Sequence, residues 1–182
     1  MTDGTAEFDY VVVGAGASGC AVAGRLAAMP GVRVAVIEAG RAGRLRIGAV
    51  PAATIHTNGH PFYDWKLVSQ PDPTRLDRTE EWPRGLGPGG STRINGMIFV
   101  RGAPEDFDAW RDLGATGWGY RDVLPYFRRI ETSSDSESQV RGATGPLCVS
   151  PLPYVHPLTP RFIAAAAEAG LPFNPDINGE RQ

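Results

Sequence analysis

Cysteine is scarce in this chain: Cys20 and Cys148 lie far apart, with no CxxC pair, no metal-ligand spacing and no disulfide framework. A reducing compartment is the favoured setting. Long hydrophobic runs are also missing. No basic segment leads into an apolar one at the start, and the longest early apolar run, Tyr10 to Val13, is too short to cross a bilayer. A soluble cytoplasmic protein without a transmembrane segment is expected. Charge of one sign does not accumulate either. The 18 basic and 20 acidic residues are spread along the chain for a formal net charge of −2, which excludes an electrostatic footprint for nucleic acid or anionic membrane. Histidines number three: His56 and His60 flank Asn58-Gly59, which breaks the helix that paired metal ligands need, and His156 precedes Pro157. Loop or surface roles are expected for all three, and no metal site.

What is present is enough for a real core: 182 residues at 42% hydrophobic composition suit one ordinary domain or part of a larger one. Tyr10-Val11-Val12-Val13 is a β-branched run that stops at glycines, as a strand buried on both faces of a parallel sheet does. From Ser18 to Met29 the residues are small or helix-forming, with Val22 and Leu26 on one face and Pro30-Gly31 as the stop. Val32 to Ile37 predicts a second strand, parallel to the first by the crossover rule. Phe8 to Gly40 thus forms a βαβ unit. Arg41 to Trp82 shows no sustained period, yet its apolar residues Ile47, Val50, Ile55, Phe62, Tyr63 and Trp65 argue for an ordered excursion in which something covers them. Helices are expected over Pro104–Leu113 and Tyr120–Ile130, a solvated loop over Thr132–Gln139 and a short strand over Pro146–Val149. A last helix is expected with Thr159 as N-cap, Pro160 at its first position and Gly170 as its end.

Gly14-Ala15-Gly16-Ala17-Ser18-Gly19 matches GxGxxG where the mechanism requires it, after a strand and opening a helix. Gly14 permits the tight turn, Gly16 leaves the backbone bare toward a pyrophosphate, and Gly19 lets helix and strand pack closely. The phosphates would meet unpaired N–H groups at the positive end of the helix dipole. Glu38, followed by Ala39 at the end of the second strand, can accept hydrogen bonds from ribose hydroxyls and would repel a 2′-phosphate, which disfavours NADP. This motif binds an ADP moiety and does not by itself separate FAD from NAD.

A second glycine-rich stretch runs from Trp82-Pro83-Arg84-Gly85-Leu86-Gly87-Pro88-Gly89-Gly90 through Ser91-Thr92-Arg93-Ile94-Asn95-Gly96-Met97 to Val100-Arg101-Gly102, with Ser91, Thr92 and Asn95 as hydrogen-bonding groups. Here the sequence resembles the glucose-methanol-choline (GMC) oxidoreductases, FAD-dependent alcohol dehydrogenases and oxidases, including choline dehydrogenase-like members. Their signature has the form Pro-Arg-Gly-Lys-x-Leu-Gly-Gly-Ser-Ser-x-x-Asn-Gly-Met, ending in Arg-Gly. The blocks Asp106–Trp110, Gly117–Phe127 and Asn174–Gly179 also resemble the family's, so the likeness covers nearly the whole chain.

The resemblance implies an α/β fold: a Rossmann-type FAD-binding βαβ unit with an irregular extension and the beginning of a substrate domain, incomplete. Residues 1–150 would be the N-terminal part of the FAD-binding domain, including the flavin-covering signature, and 151–182 the start of the substrate-binding region. Gly14, Gly16, Gly19 and Glu38 would hold the ADP half of FAD, with Ala15, Ala17, Ser18 and Ala39 beside them. Arg84, Gly90, Ser91, Asn95, Gly96, Met97 and Val100 would lie along the pyrophosphate and isoalloxazine side. Two positions depart from the family pattern: its lysine is Leu86 here and its leucine is Pro88. Some members bind FAD covalently through a His just before the Asn, and Ile94 stands there, which implies non-covalent FAD. In the family a histidine base takes the alcohol proton while the carbon gives a hydride to flavin N5. That histidine lies near the family's C-terminus, so the resemblance implies a fragment without catalytic residues of its own, completed by a missing C-terminal portion or a second chain. A non-catalytic dinucleotide-binding or NAD-binding module, or a truncated product without function, are the competing readings.

Overall fold

The computed structural model describes residues 6–41, 50–134 and 138–181. Ile47 and residues 135–137 of the expected polar loop lie outside the described residues. The chain divides into two compact units, Met1–Ile98 and Phe99–Gln182.

The first unit opens with strand β1 (Tyr10–Val13), helix α1 (Ala17–Ala27) and strand β2 (Val34–Ile37). The strands pair in parallel, Tyr10 against Val34 through Val13 against Ile37, but the burial expected on both faces of β1 is corrected: Tyr10, Val11 and Val13 are exposed, because the two-stranded sheet has no neighbouring strand or second helix layer among the described residues. Between β1 and α1 the chain turns at Gly14, whose φ of +90° is a left-handed value that a side chain resists. A Cβ at Gly19 would collide with the Gly14 carbonyl oxygen, so the missing side chain sets how closely α1 packs on the turn. β2 begins two residues later than the expected Val32. The Val32 N–H is already used in a turn to the Met29 carbonyl (3.3 Å), and the Arg33 N–H donates to Asp9 Oδ2 (2.7 Å).

The irregular excursion carries a short helix α2 (Thr54–Thr57) and the antiparallel pair β3 (Leu67–Val68) and β4 (Glu81–Trp82). Tyr63 and Asp64 are buried within it. The expectation that its apolar residues are covered is corrected: Val50, Ile55, Phe62 and Trp65 are all exposed. Carboxylates order this stretch instead of an apolar core: Asp72 accepts from the Thr74 N–H (2.9 Å) and hydroxyl (2.7 Å), and Asp64 ties more distant segments. Asp64 accepts from the N–H groups of Gly59 (2.7 Å), Lys66 (3.0 Å) and Arg84 (2.8 Å).

In the second unit, helix α3 (Pro104–Asp112) begins with Pro104 and the acidic pair Glu105 and Asp106, and Asp106 accepts from the Ala103 N–H (3.2 Å). Helix α4 (Tyr120–Ile130) is started in the same manner by Asp122 on the Gly119 N–H (3.1 Å). The chain then passes directly into strand β5 (Glu131–Ser133), which pairs in parallel with β6 (Leu147–Val149). The loop expected from Thr132 is corrected here: β5 carries Glu131 into a buried cluster of arginines. Helix α5 (Leu158–Glu168) starts before Thr159, with Pro157 as its N-cap, and His156 accepts through Nδ1 from the Leu158 N–H (3.2 Å) and through its carbonyl from the Thr159 N–H (2.9 Å).

Candidate dinucleotide site

Gly16 precedes helix α1 with extended backbone and no side-chain cap. The first turn of a helix has N–H groups without intrahelical partners, and here those of Gly16, Ala17, Ser18 and Gly19 find no acceptor among the described residues. A Cβ placed on Gly16 would meet nothing within 4 Å, so the backbone is bare on that side of Gly16. The neighbouring groups are engaged. The Gly14 N–H donates to the Ile37 carbonyl (2.7 Å), which ties the turn to the end of β2.

Glu38 stands just past β2. Its Oε2 accepts from the Ala15 N–H (2.7 Å), and its Oε1 from the N–H groups of Gly40 (2.8 Å) and Gly87 (3.2 Å). The bonds from Gly40 and Ala15, in that order, hold the carboxyl below its ordinary value by favouring the charged form. Ala39, next in sequence, is exposed.

The second glycine stretch folds against the first. The Gly89 N–H donates to the Ala15 carbonyl (2.6 Å), which also receives the Cys20 thiol (3.2 Å). Gly90 is buried with φ of +52°, and a Cβ there would lie 2.8 Å from Gly16 Cα. The structure therefore brings together Gly14–Gly19, Glu38 and the loop Gly87–Gly90. Ser91 closes that loop on itself, its hydroxyl accepting from the Gly85 N–H (3.1 Å). Asn95, Gly96 and Met97 are exposed, with Asn95 Oδ1 accepting from the Met97 N–H (3.0 Å) while Met97 takes a φ of +56°. Arg84 turns elsewhere: its guanidinium lies over the Trp82 ring at 5.1 Å and donates to the Pro83 carbonyl (2.7 Å). Val100 is exposed in the second unit.

Two features were not anticipated. One is Asp64, which anchors the loop through the Arg84 N–H, beside a bond from the Leu86 N–H to the Tyr63 carbonyl (2.7 Å). Burial opposes its charge, but the N–H groups of Gly59, Lys66 and Arg84 outweigh it and keep the carboxyl below its ordinary value. The other is a buried ionic cluster in the second unit. Glu131, 0% exposed, pairs with Arg101 through Oε2 and with Arg141 through Oε1, and Arg141 also binds both oxygens of Asp176 (2.7 Å each). Burial works against the Arg141 charge, and Glu131 and Asp176 more than offset it, raising its pKa. Asn178 joins the cluster, accepting from the Arg101 N–H (2.8 Å) and donating to the Phe99 carbonyl (2.8 Å). Its sequence signal was faint: Arg101 and Asp176 lie in family-like blocks, whereas Glu131 and Arg141 flank a polar stretch.

The three histidines make local contacts of their own. His60 packs on Phe62 and Tyr63, His156 accepts from the Leu158 N–H at the start of α5, and His56 lies exposed in α2. Among the described residues no group of His, Cys, Asp and Glu is arranged to hold a metal ion, and no helix is long and apolar enough to cross a membrane.

The sequence matches the family model for GMC oxidoreductase over residues 8–182. It is 42% identical over 176 residues to an oxygen-dependent choline dehydrogenase of Rhizobium etli (strain CIAT 652), covering 97% of this chain and 32% of that protein. It is 40% identical over 187 residues to the mitochondrial choline dehydrogenase of Mus musculus, covering 98% of this chain and 31% of that protein. The chain thus spans about a third of the length of the curated relatives it matches. Among solved structures, a pyridoxine 4-oxidase from Mesorbium loti superposes with a TM-score of 0.82 at 37% identity, over 91% of this chain and 33% of that one. The R554A variant of formate oxidase from Aspergillus oryzae RIB40, studied for its FAD modification, superposes with a TM-score of 0.82 at 29% identity over 100% of this chain and 33% of that one.

Proposed function

Because the chain belongs to the GMC oxidoreductase family, we propose that it is the FAD-binding N-terminal portion of a flavin-dependent oxidoreductase acting on the CH–OH group of small alcohols, choline-like ones included. The observation that carries this reading is the open row of N–H groups from Gly16 to Gly19 beside the Glu38 carboxylate. That donor set suits a diphosphate joined to a ribose: four dipoles aimed at negative oxygens, and a charged acceptor for hydroxyl donors.

In this Rossmann-type arrangement Gly16, Ala17, Ser18 and Gly19 offer their N–H groups to the pyrophosphate, Gly14 and Ala15 shape the turn that presents them, and Glu38 with Ala39 receives the adenosine ribose. Gly90, Ser91, Asn95, Gly96, Met97 and Val100, with Arg84, serve the flavin side. Residues 1–150 carry the FAD-binding role, and residues 151–182 open the substrate region. Ile94 has no nucleophile to offer before Asn95, so FAD is held non-covalently. The bound flavin supplies the acceptor for a hydride from the alcohol carbon. The chain's own part is to bind and orient: His60 packs on Tyr63, His156 accepts from the Leu158 N–H, and His56 is exposed on its short helix. Turnover needs the segment that corresponds to the remaining length of the relatives, in the same polypeptide or a second chain. A cytoplasmic setting accords with the two free cysteines, Cys20 and Cys148.

The test is titration of the purified chain with FAD, followed by flavin fluorescence, with ADP and NAD as competitors. Saturable binding that ADP displaces is expected, and tighter binding of NAD than of FAD would contradict the reading. Assay of the FAD-loaded chain with choline, simple alcohols and an artificial electron acceptor should give no turnover. Measurable FAD-dependent activity would overturn the need for a further segment.

A further inference from the structure

Glu38 is placed where a ribose acceptor belongs, yet its carboxylate already binds three N–H groups from three separate stretches of chain. Ala15 belongs to the glycine turn after β1, Gly40 to the exit from β2, and Gly87 to the loop that continues into Gly90. The packing around these bonds is close. A Cβ on Gly40 would collide with the backbone at Gly87, and a Cβ on Gly90 would press on Gly16. The loop Arg84–Gly90 is therefore strung between two carboxylates, Asp64 at the Arg84 end and Glu38 at the Gly87 end. Carboxylate bonds to backbone N–H are charge-assisted and stronger than neutral ones. A carboxylate that joins three segments restrains them relative to one another, which an acceptor of ribose hydroxyls alone does not need to do.

We infer that Glu38 is a positioning residue that fastens the Gly87–Gly90 loop to the glycine turn before any nucleotide binds, so that the surfaces for the two ends of the dinucleotide are set as one. The clamp itself is independent of the FAD reading. Only its consequence for ligand affinity rests on that reading, and the two are measured separately.

The test uses the 182-residue chain and its Glu38→Ala and Glu38→Gln variants. Amide hydrogen exchange is followed by NMR without nucleotide. Exchange at Ala15 and Gly87 should accelerate by about tenfold or more in Glu38→Ala, as expected for loss of a charge-assisted bond, with a smaller change in Glu38→Gln. Exchange at Lys66 and Arg84, which are held by Asp64, should stay unchanged. Equal acceleration of all four amides in both variants would overturn the inference, because Glu38 would then be a general stabiliser. Unchanged exchange at Gly87 would overturn it as well. With ligand, the clamp predicts that Glu38→Ala costs FAD about tenfold more affinity than it costs ADP, since only FAD spans both surfaces. Equal losses would reduce Glu38 to a ribose acceptor. Absence of any FAD binding would refute the cofactor reading while leaving the exchange result to decide the clamp.

Discussion

The two units hold their loops together with carboxylates, but they pair them with different partners. In the first, Glu38 and Asp64 are satisfied by backbone N–H groups from distant segments. In the second, Glu131 is satisfied by the guanidinium groups of Arg101 and Arg141, and Asp176 by that of Arg141 together with the Asn178 N–H. Backbone donors are present whatever the side chain, so the first arrangement depends on how closely the chain can approach itself, and hence on glycine. Guanidinium donors exist only where arginine stands, so the second depends on side-chain identity. The first arrangement also leaves further N–H groups open to a ligand, whereas the second closes on itself.

The largest effect should come from breaking the closed arrangement. Glu131→Ala strips the buried Arg101 and Arg141 of their shared partner, and removal of one member of a buried ionic cluster costs about 3–5 kcal/mol. Urea unfolding of the chain, read through Trp110 and Trp118 fluorescence, checks this. A loss under about 1 kcal/mol would mean that the cluster is replaceable by solvent.

A smaller loss, expressed in ligand affinity, is expected from Gly90→Ala. The variant forces a side chain into a left-handed backbone and against Gly16, with strain of about 1–3 kcal/mol. FAD affinity should fall accordingly, while unfolding of the second unit stays as it was. If affinity is unmoved, the contact between the two glycine stretches has no part in binding.

Acid should separate the regions by the least. Asp64 and Glu38 both titrate below their ordinary values in the folded chain. The stability they lend is complete above the ordinary carboxylate range of about pH 4–5 and is lost as pH falls through the lowered folded values. The urea midpoint of the first unit should therefore be flat from neutral pH to about pH 5 and decline below about pH 4, and Asp64→Asn should blunt the decline. A midpoint that ignores acid would refute the anchoring role of these carboxylates.

The parts that were legible in the sequence are those whose physics is local. The β-branched run Tyr10–Val13 ending in glycine, the Pro104 and Asp106 start of α3 and the Gly119 and Asp122 start of α4 each declare themselves within a few residues. The start of α5 was misplaced because Thr159 and Pro160 look like a cap, whereas the helix begins after Pro157, where His156 accepts from the Leu158 and Thr159 N–H groups. The ionic cluster was invisible for a different reason. Arg101, Glu131, Arg141 and Asp176 are too far apart in sequence for spacing to reveal them, and the polar surroundings of Glu131 suggested solvent where a half-buried strand begins with a buried carboxylate. At the candidate site the glycine turn and Glu38 were identifiable as a pair. The closure of Gly87–Gly90 onto them was not, since nothing local records which loop a carboxylate will reach.

Gly16→Val tests the central claim, that the row of N–H groups opening α1 grips a diphosphate, more directly than any other change. A Cβ there meets no protein atom within 4 Å, so the fold should persist, while the added bulk fills the space that the bare Gly16 backbone leaves for a pyrophosphate. Titrated with FAD beside the unaltered chain, the variant should lose at least about a hundredfold in affinity while its unfolding midpoint holds, a loss of the size expected when charged oxygens are denied their donors. FAD affinity equal in the two chains would show that the diphosphate does not bind there.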